Sequence, residues 1–561
     1  MNISMRRIPL FILLAGIALT RLAAQQPQAA QPAQTQPAAQ QQPVAQAASA
    51  APAPAATTAP AAPAQLPTPA QPVKNADGTY TIRMTSRLVV LDLVVLDAKG
   101  AIVKDLKKGD FQVQEASEPQ TILNFEETGM HTPKPEVVID STADLDRLAP
   151  RAPVDIILLD EFNTRFEDMA FARYSLKKYL EKQPDKLITP TMLIAVSLQN
   201  FTVLHDYTQN KNEIISALDH HFSVSPWQVS QGAWVNERYS TAFITLRRVA
   251  EAVMGHPGHK NMIWIGRGFP PSRRARAGWS IDTENRIFNA VQDCVNILRD
   301  ARVTLYTIDP AGVLVDPGVY GGDPMIDPFG GNYEFSKLAK ATGGRTLYGR
   351  NDVDMEIQTA IQDGANFYTL TYRPGNTSLD PQKFRKIKVT VNRPGVSVVT
   401  REGYYLQYGP GRVNPVNPSR RLITDLVSAD SSNMVYDGVS IEPKRSATDP
   451  DSFIVHVDGH ALVWALATDT EPRHTEVILI ASTFDKKGNE LKRDAKVIKI
   501  AAPASAPPTG RYLHDINIPC KVDHNPKAVR ARFSLRVSAT GRIGTADLPL
   551  GEEAGKAAPA Q

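Results

Sequence analysis

The sequence predicts an α/β plus β protein: a doubly wound, mostly parallel sheet with helices on both faces, flanked by β-sandwich domains. Three observations carry that expectation. Val154 to Asp160 (Val-Asp-Ile-Ile-Leu-Leu-Asp) is apolar on both faces, as a central parallel strand must be. Strand-like and helical runs alternate from residue 154 to 366, the order of a parallel sheet with crossover helices. On either side, residues 78–126, 367–405 and 453–537 hold short β-branched runs divided by turn signals, the pattern of antiparallel sheets.

In chain order, Met1 to Ala24 sets Arg6 and Arg7 ahead of an apolar stretch, Ile8 to Thr20, and ends in Leu22-Ala23-Ala24. That is a secretory signal-peptide pattern, so residues 1–24 imply export to the periplasm, the cell surface or the medium. The stretch is short for a bilayer, and an uncleaved signal segment is the one membrane link the sequence offers. Residues 25–75 are Ala, Pro, Gln and Thr with no charge before Lys74, and a chain that cannot bury a core is expected to be a disordered tether.

Residues 76–135 supply strands at Arg87–Asp97, Phe111–Glu115 and Pro119–Phe125, half of a β-sandwich. Residues 150–366 supply the α/β domain: strands at 154–160, 190–198, 201–206, 261–266, 303–309 and 345–348, with helices between them. Residues 367–408 return to β and are expected to complete the first sandwich, making the α/β domain an insertion within it. A second sandwich is expected over 409–552, with a disordered tail at 553–561.

Composition excludes nucleic acid as a partner. Over 561 residues the net charge is +4 with 21% charged residues, and no basic stripe is interleaved with aromatics. Cys294 and Cys520 admit one interdomain disulfide in an oxidising compartment, but two separate buried thiols are the plainer reading.

Several motifs in order resemble one family. Val94-Val-Leu-Asp-Ala-Lys-Gly100, Leu106-Lys-Lys-Gly-Asp-Phe111, Asp160-Glu-Phe-Asn-Thr164, Leu305-Tyr-Thr-Ile-Asp-Pro310, Leu338-Ala-Lys-Ala-Thr-Gly-Gly344, Tyr368-Thr-Leu-Thr-Tyr-Arg-Pro374 and Arg401-Glu-Gly-Tyr-Tyr405 are similar to the VWFA-related proteins of acidobacterial type. The resemblance covers roughly residues 85 to 406. It implies a von Willebrand factor A (Rossmann-like) domain, an adhesion and protein-binding module in most relatives.

Relatives that adhere through a metal use Asp-x-Ser-x-Ser, a Thr on a second loop and an Asp after the fourth strand. Asp160 and Thr164 match the outer motif positions, as metal ligands for Mg²⁺ or Mn²⁺. Phe162 replaces the middle Ser, and Ile265 runs into Gly266-Arg267-Gly268 where an Asp is expected. The site reads as degenerate, with no cofactor needed and Arg267 neutralising Asp160 by an ion pair. Ligand binding is assigned to Asp160, Asn163, Thr164 and Arg267.

Other constellations carry less. Ser175-Leu-Lys-Lys178 has an acyl-transfer spacing but lies on an amphipathic helix without its partner motif. His256-Pro-Gly-His259 lacks a third ligand and reads as a loop-solvated pair. Asp316, Asp323 and Asp327 lie in a Gly/Pro loop with irregular spacing, and Arg273-Arg-Ala-Arg276 is a basic loop beyond the fourth strand. The sequence therefore predicts an exported, non-enzymatic module that binds a protein or glycan outside the cytoplasm. An envelope hydrolase with an unrecognised site and a structural part of an envelope assembly are the alternatives.

Overall fold

A computed structural model describes residues 73–74, 80–81 and 88–550, apart from breaks at 223–232, 269–279, 314–334, 375–383, 406–417 and several shorter ones. The expected signal peptide, the tether up to residue 72, the loop carboxylates Asp316, Asp323 and Asp327, and the basic cluster Arg273 to Arg276 lie outside the described residues. The chain divides into two compact units, Met1–Met84 and Thr85–Gln561. In the first, β1 (Val73–Lys74) pairs antiparallel with β2 (Tyr80–Thr81).

The second unit begins with β3 (Val89–Leu96), β4 (Phe111–Glu115), β5 (Glu118–Gln120) and β6 (Ile122–Glu126). The α/β region follows with β7 (Val154–Asp160), β8 (Lys186–Val196), β9 (Phe201–Asn210), β10 (Lys260–Ile265), β11 (Val303–Ile308) and β12 (Thr346–Leu347). Then come β13 (Tyr368–Tyr372), β14 (Phe384–Val391), β15 (Ser397–Thr400) and β16 (Gly403–Tyr405). The last group is β17 (Ile441–Arg445), β18 (Ser452–Val457), β19 (His474–Phe484), β20 (Glu490–Ala501), β21 (Ile516–Lys521), β22 (Arg530–Val537) and β23 (Ile543–Pro549).

The central sheet has the order β12-β11-β10-β7-β8-β9, parallel throughout except for antiparallel β9 at one edge. Alternate side chains of β7 enter opposite cores because a strand points successive residues to opposite faces. Ile156 and Leu158 pack with Trp264 and Leu305 toward helices 233–252, 281–300 and 335–342. Ile157 and Leu159 pack with Ile263 and Ile308 toward helices Phe166–Glu181, Lys211–His220 and Val353–Ala365. Two dry faces explain why β7, β10 and β11 are apolar almost without interruption.

The β segments on either side of this sheet in sequence share two sheets in space, β15-β3-β13-β6 and β16-β14-β4-β5. Between them lies an apolar core that includes Leu91, Leu93, Phe111, Tyr368 and Leu370. One charge is tolerated there because it is fully met: buried Glu115 accepts from Tyr372 Oη at 2.6 Å and Arg385 Nη1 at 2.7 Å.

Toward the carboxyl terminus, β17-β18-β21 faces β20-β19-β22-β23. Helix Pro418–Ser431, inside the span 409–552 for which the sequence predicts a sandwich and no helix, precedes this pair of sheets. Its Leu426 and Ala429, together with Ile478, Ile480 and Ile543, belong to the same core as Val249 and Val253 of helix 233–252. Asp430 pins the helix to the sheet, accepting from Ser482 Oγ at 2.5 Å, Ser534 Oγ at 2.8 Å and Arg493 Nε at 3.0 Å.

Candidate functional site at the carboxyl edge of the central sheet

β7 and β10 lie side by side in register, Leu159 opposite Ile265, so Asp160 and the turn 266–268 leave the sheet together. The next strand in sequence lies on one side of β7 and the fourth on the other. Here the winding reverses, the place where ligands of open α/β sheets bind.

Asp160 is fully buried. Its Oδ1 accepts from Asn163 N at 2.9 Å, and its Oδ2 accepts from Trp264 Nε1 at 3.0 Å and Gly268 N at 2.8 Å. Burial pushes the carboxyl up to about 7 from its ordinary 3.8, against those N–H donors, which favour the ionised form. Two glycines make the arrangement possible. Gly266 has φ +142°, and a Cβ there would sit 2.4 Å from the Asp160 Cβ; Gly268 has φ +65°, with its would-be Cβ 2.3 Å from the Phe335 ring.

Thr164 Oγ1 accepts from Arg267 N at 3.3 Å, and Asn163 Nδ2 donates to the Gly268 carbonyl. Phe162 is buried edge-on to Trp264, centroids 6.2 Å apart at 83°. Phe162 is therefore a core residue and supplies no ligand atom. Asp160, Asn163 and Thr164 are at most 5% exposed. Their hydrogen bonds fasten two loops to each other.

One correction concerns Arg267. Its Nε lies 3.5 Å from Asp309 Oδ1, so its ion pair is with the carboxylate after β11 and not with Asp160. The reason is local: the Asp160 oxygens are occupied by N–H groups, while Asp309 ends the strand adjacent to β10. The same occupancy decides the fit to a cation. Mg²⁺ or Mn²⁺ needs carboxylate lone pairs and tolerates no N–H dipole aimed at it. Asp160 spends its oxygens on three donors and Thr164 accepts from a fourth, so these residues do not fit the metal that the motif implies. Among the described residues, no three His, Cys, Asp or Glu side chains are placed to hold an ion.

Three acidic residues at this edge escaped sequence reasoning. Glu356, in the first turn of helix Val353–Ala365, is 3% exposed and neither carboxylate oxygen has a hydrogen-bond partner. Burial pushes it up to about 8. A signal existed: Glu356 falls on the stripe Val353, Ile357, Ala360 that faces the core. Asp168 in helix Phe166–Glu181 has an unpartnered Oδ2, and burial raises its carboxyl. Glu161 is buried against His221, Oε1 to Nε2 2.7 Å. Around these groups, Phe166, Phe222, Val313, Tyr348 and Met355 are exposed.

The remaining sequence candidates serve structure. His256 and His259 are not solvated: both are buried at the amino end of the sheet, His256 Nε2 2.8 Å from the Ala152 carbonyl and His259 Nδ1 3.0 Å from Asp92 Oδ2. Ser175 faces the core while Lys178 reaches Asp354 at 3.1 Å, so the two share no site. Cys294 and Cys520 are separate buried thiols.

No family model and no curated protein matches this sequence. Among solved structures, similarity is found to Bacteroides uniformis β-glucuronidase 2 covalently bound to cyclophellitol-6-carboxylate aziridine, at 13% identity over 33% of this chain and 19% of that one, TM-score 0.12. A Bacteroides uniformis β-glucuronidase crystal structure gives the same identity, coverage and TM-score. The chain spans about a fifth of the length of these proteins, and a likeness at that score carries no argument about fold or activity.

Proposed function

We propose that the chain is an exported, non-enzymatic binding protein built on a von Willebrand factor A-type domain, docking a protein partner across the carboxyl edge of its central sheet without a divalent metal. The sequence motifs support the family, and the N-terminal pattern supports export. The observation that carries the docking surface is the set of loops after Asp160, Gly266 and Asp309, locked together at the point where the winding reverses. Exposed Phe166, Val313, Tyr348 and Met355 stand on or beside those loops, and apolar side chains gathered at one edge mark an interaction surface.

The test is capture of the full chain on isolated cell-envelope material in EDTA, comparing the native sequence with Phe166→Ser and Met355→Ser. Lys99→Ala, on the sandwich, serves as control. Binding should survive EDTA, disappear after protease treatment of the target, and fall about tenfold or more in the edge variants only, the size of a hot-spot loss. Loss after glycan oxidation instead would make the partner a glycan. Equal binding by both edge variants would remove the docking surface from this edge.

A further inference from the structure

Three loops meet at one end of the C-terminal pair of sheets. Val457 at the end of β18 pairs with Ile516 at the start of β21, so the segment leaving one strand lies beside the segment entering the other. Gly459 N donates to Asp515 Oδ1 at 2.8 Å, and a Cβ on Gly459 would stand 2.5 Å from the His514 carbonyl carbon. The turn 458–460 therefore rests directly on the His514 backbone. Arg473, just before β19, joins them through Nη1, which donates to the Pro507 carbonyl at 2.6 Å.

Aromatic rings collect where these loops touch. Tyr512 and His514 lie nearly parallel, centroids 5.7 Å apart at 20°. Trp464 stands edge-on to Tyr512 at 5.2 Å and borders His514 at 6.4 Å, while the Arg473 guanidinium lies over the Tyr512 ring at 5.4 Å. Burial falls off along this row: Arg473 and Trp464 are buried, Tyr512 is half-buried and His514 is exposed. Beside them Val463 and Leu513 are 46% and 43% exposed. Packing accounts for the inner members, since Trp464 and Tyr512 belong to the sandwich core. It does not account for the outer ring, nor for Trp464 Nε1, a buried donor with no hydrogen-bond partner.

Polar groups flank the rings. His460 places both its N and its Nδ1 2.8 Å from Asp458 Oδ1, which fixes the turn while most of the imidazole stays in solvent. The Asp515 carboxylate, which holds Gly459 N, is itself more than half exposed.

We infer that this end of the C-terminal sandwich binds a neutral saccharide, a β-linked pyranose chain whose C–H face lies on His514 and Tyr512 and whose hydroxyls meet the Asp458–His460 turn and Asp515. A pyranose with equatorial substituents turns axial C–H bonds to either side, and these suit the electron-rich face of an aromatic ring. Its hydroxyls both donate and accept, so they suit carboxylates and an imidazole side by side. An acidic sugar would meet two carboxylates, and a wholly apolar ligand would leave them facing it. A metal ion does not fit, because among the described residues no three His, Cys, Asp or Glu side chains are placed to hold one. Loops at the end of a rigid β scaffold are a common place for recognition. The site is separate from the docking edge of the central sheet and does not depend on it.

The experiment is calorimetric titration of the full chain with cellotetraose and with tetra-N-acetylchitotetraose. Trigalacturonate and sorbitol are the comparisons, the first an acidic sugar and the second a polyol without a ring face. At least one neutral tetrasaccharide should bind, more tightly than trigalacturonate, and sorbitol should give no heat. His514→Ala, at an exposed position, should weaken binding about tenfold, the worth of one stacked ring. His514→Tyr should restore it, because the ring face and not the imidazole nitrogen makes the contact, and Lys99→Ala should bind as the native chain does. No heat from either tetrasaccharide, equal affinity in His514→Ala, or no recovery in His514→Tyr would overturn the inference. Tighter binding of trigalacturonate, or equal binding of sorbitol, would overturn it as well.

Discussion

The two ends of the central sheet treat buried charge in opposite ways. At the amino end, Asp92 of β3 reaches across from the sandwich and accepts from Arg302 Nη2 at 2.7 Å, Thr369 Oγ1 at 2.7 Å and His259 Nδ1 at 3.0 Å. Burial would raise that carboxyl, but the facing Arg302 and His259 hold it well below its ordinary range. At the carboxyl end, Asp160 is hydrogen-bonded by neutral N–H groups, with Arg238 near enough to feel its charge, and Glu356 has no hydrogen-bond partner. The difference belongs to these residues and not to each end as a whole: Asp155, near the amino end, meets only Thr189 and Asn261, while Asp309, at the carboxyl end, has Arg267.

The largest effect that could break this contrast is at the clamp. Asp92→Ala strands a buried guanidinium and should cost about 3–5 kcal/mol in urea unfolding, as breaking one side of a buried ion pair does. A loss under about 1 kcal/mol would make the clamp incidental. Asp160→Ala should cost less, about 1–3 kcal/mol, because it orphans uncharged N–H groups. The same variant sharpens the comparison in a second way. The midpoint of the native chain should be unchanged by EDTA, Mg²⁺, Mn²⁺ or Ca²⁺, and a metal-dependent rise lost in Asp160→Ala would restore the cation site.

The comparison can also be sharpened through pH. Asp155, Asp160 and Glu356 are raised by burial to about 6, 7 and 8. The native state keeps protons that the unfolded chain has already released, so stability should fall as pH rises from about 4 to 8. Glu356→Gln should flatten the upper part of that decline in a series of thermal scans. Asp92 works the other way: its contribution is present above its ordinary range and is lost only as pH falls below about 4.

Much of this was readable in the residues. A mixed α/β plus β architecture follows from runs such as β7, β10 and β11, apolar on both faces because helices cover both. The short helix Thr142–Leu148 stands in the Pro-rich stretch between residues 131 and 153, which masks it, although Ser141 announces it: its Oγ accepts from Asp144 N at 3.1 Å. Helix Pro418–Ser431 was hidden the same way, behind a Pro/Asn stretch, and its apolar face is needed only because β19 turns a second face toward the central domain. The site was harder. Sequence places Asp160 and Arg267 at neighbouring strand ends but cannot say that Gly268 N arrives first, or that Asp309 is closer. Nor does it tell an apolar-stripe Glu356 from a solvated one.

One feature of the pairing governs how the chain can be made. β13 lies between β3 and β6, joining residues near 90 and 125 to residues near 370. Until β13 emerges, β3 has no neighbour in its sheet, and neither does β6. At ~5–20 residues per second, the roughly 240 intervening residues impose a wait of ~10–50 s. For that interval Val-Val-Leu-Asp-Leu-Val-Val-Leu, the body of β3, is an apolar edge with nothing to pair with. The central sheet can pair in that time, and the sandwich closes after it, around an insert one of whose cores still waits for residues 426–543. A chaperone acting on this protein should therefore be needed early, at residues 89–96, and dispensable once residue 405, the end of β16, has appeared.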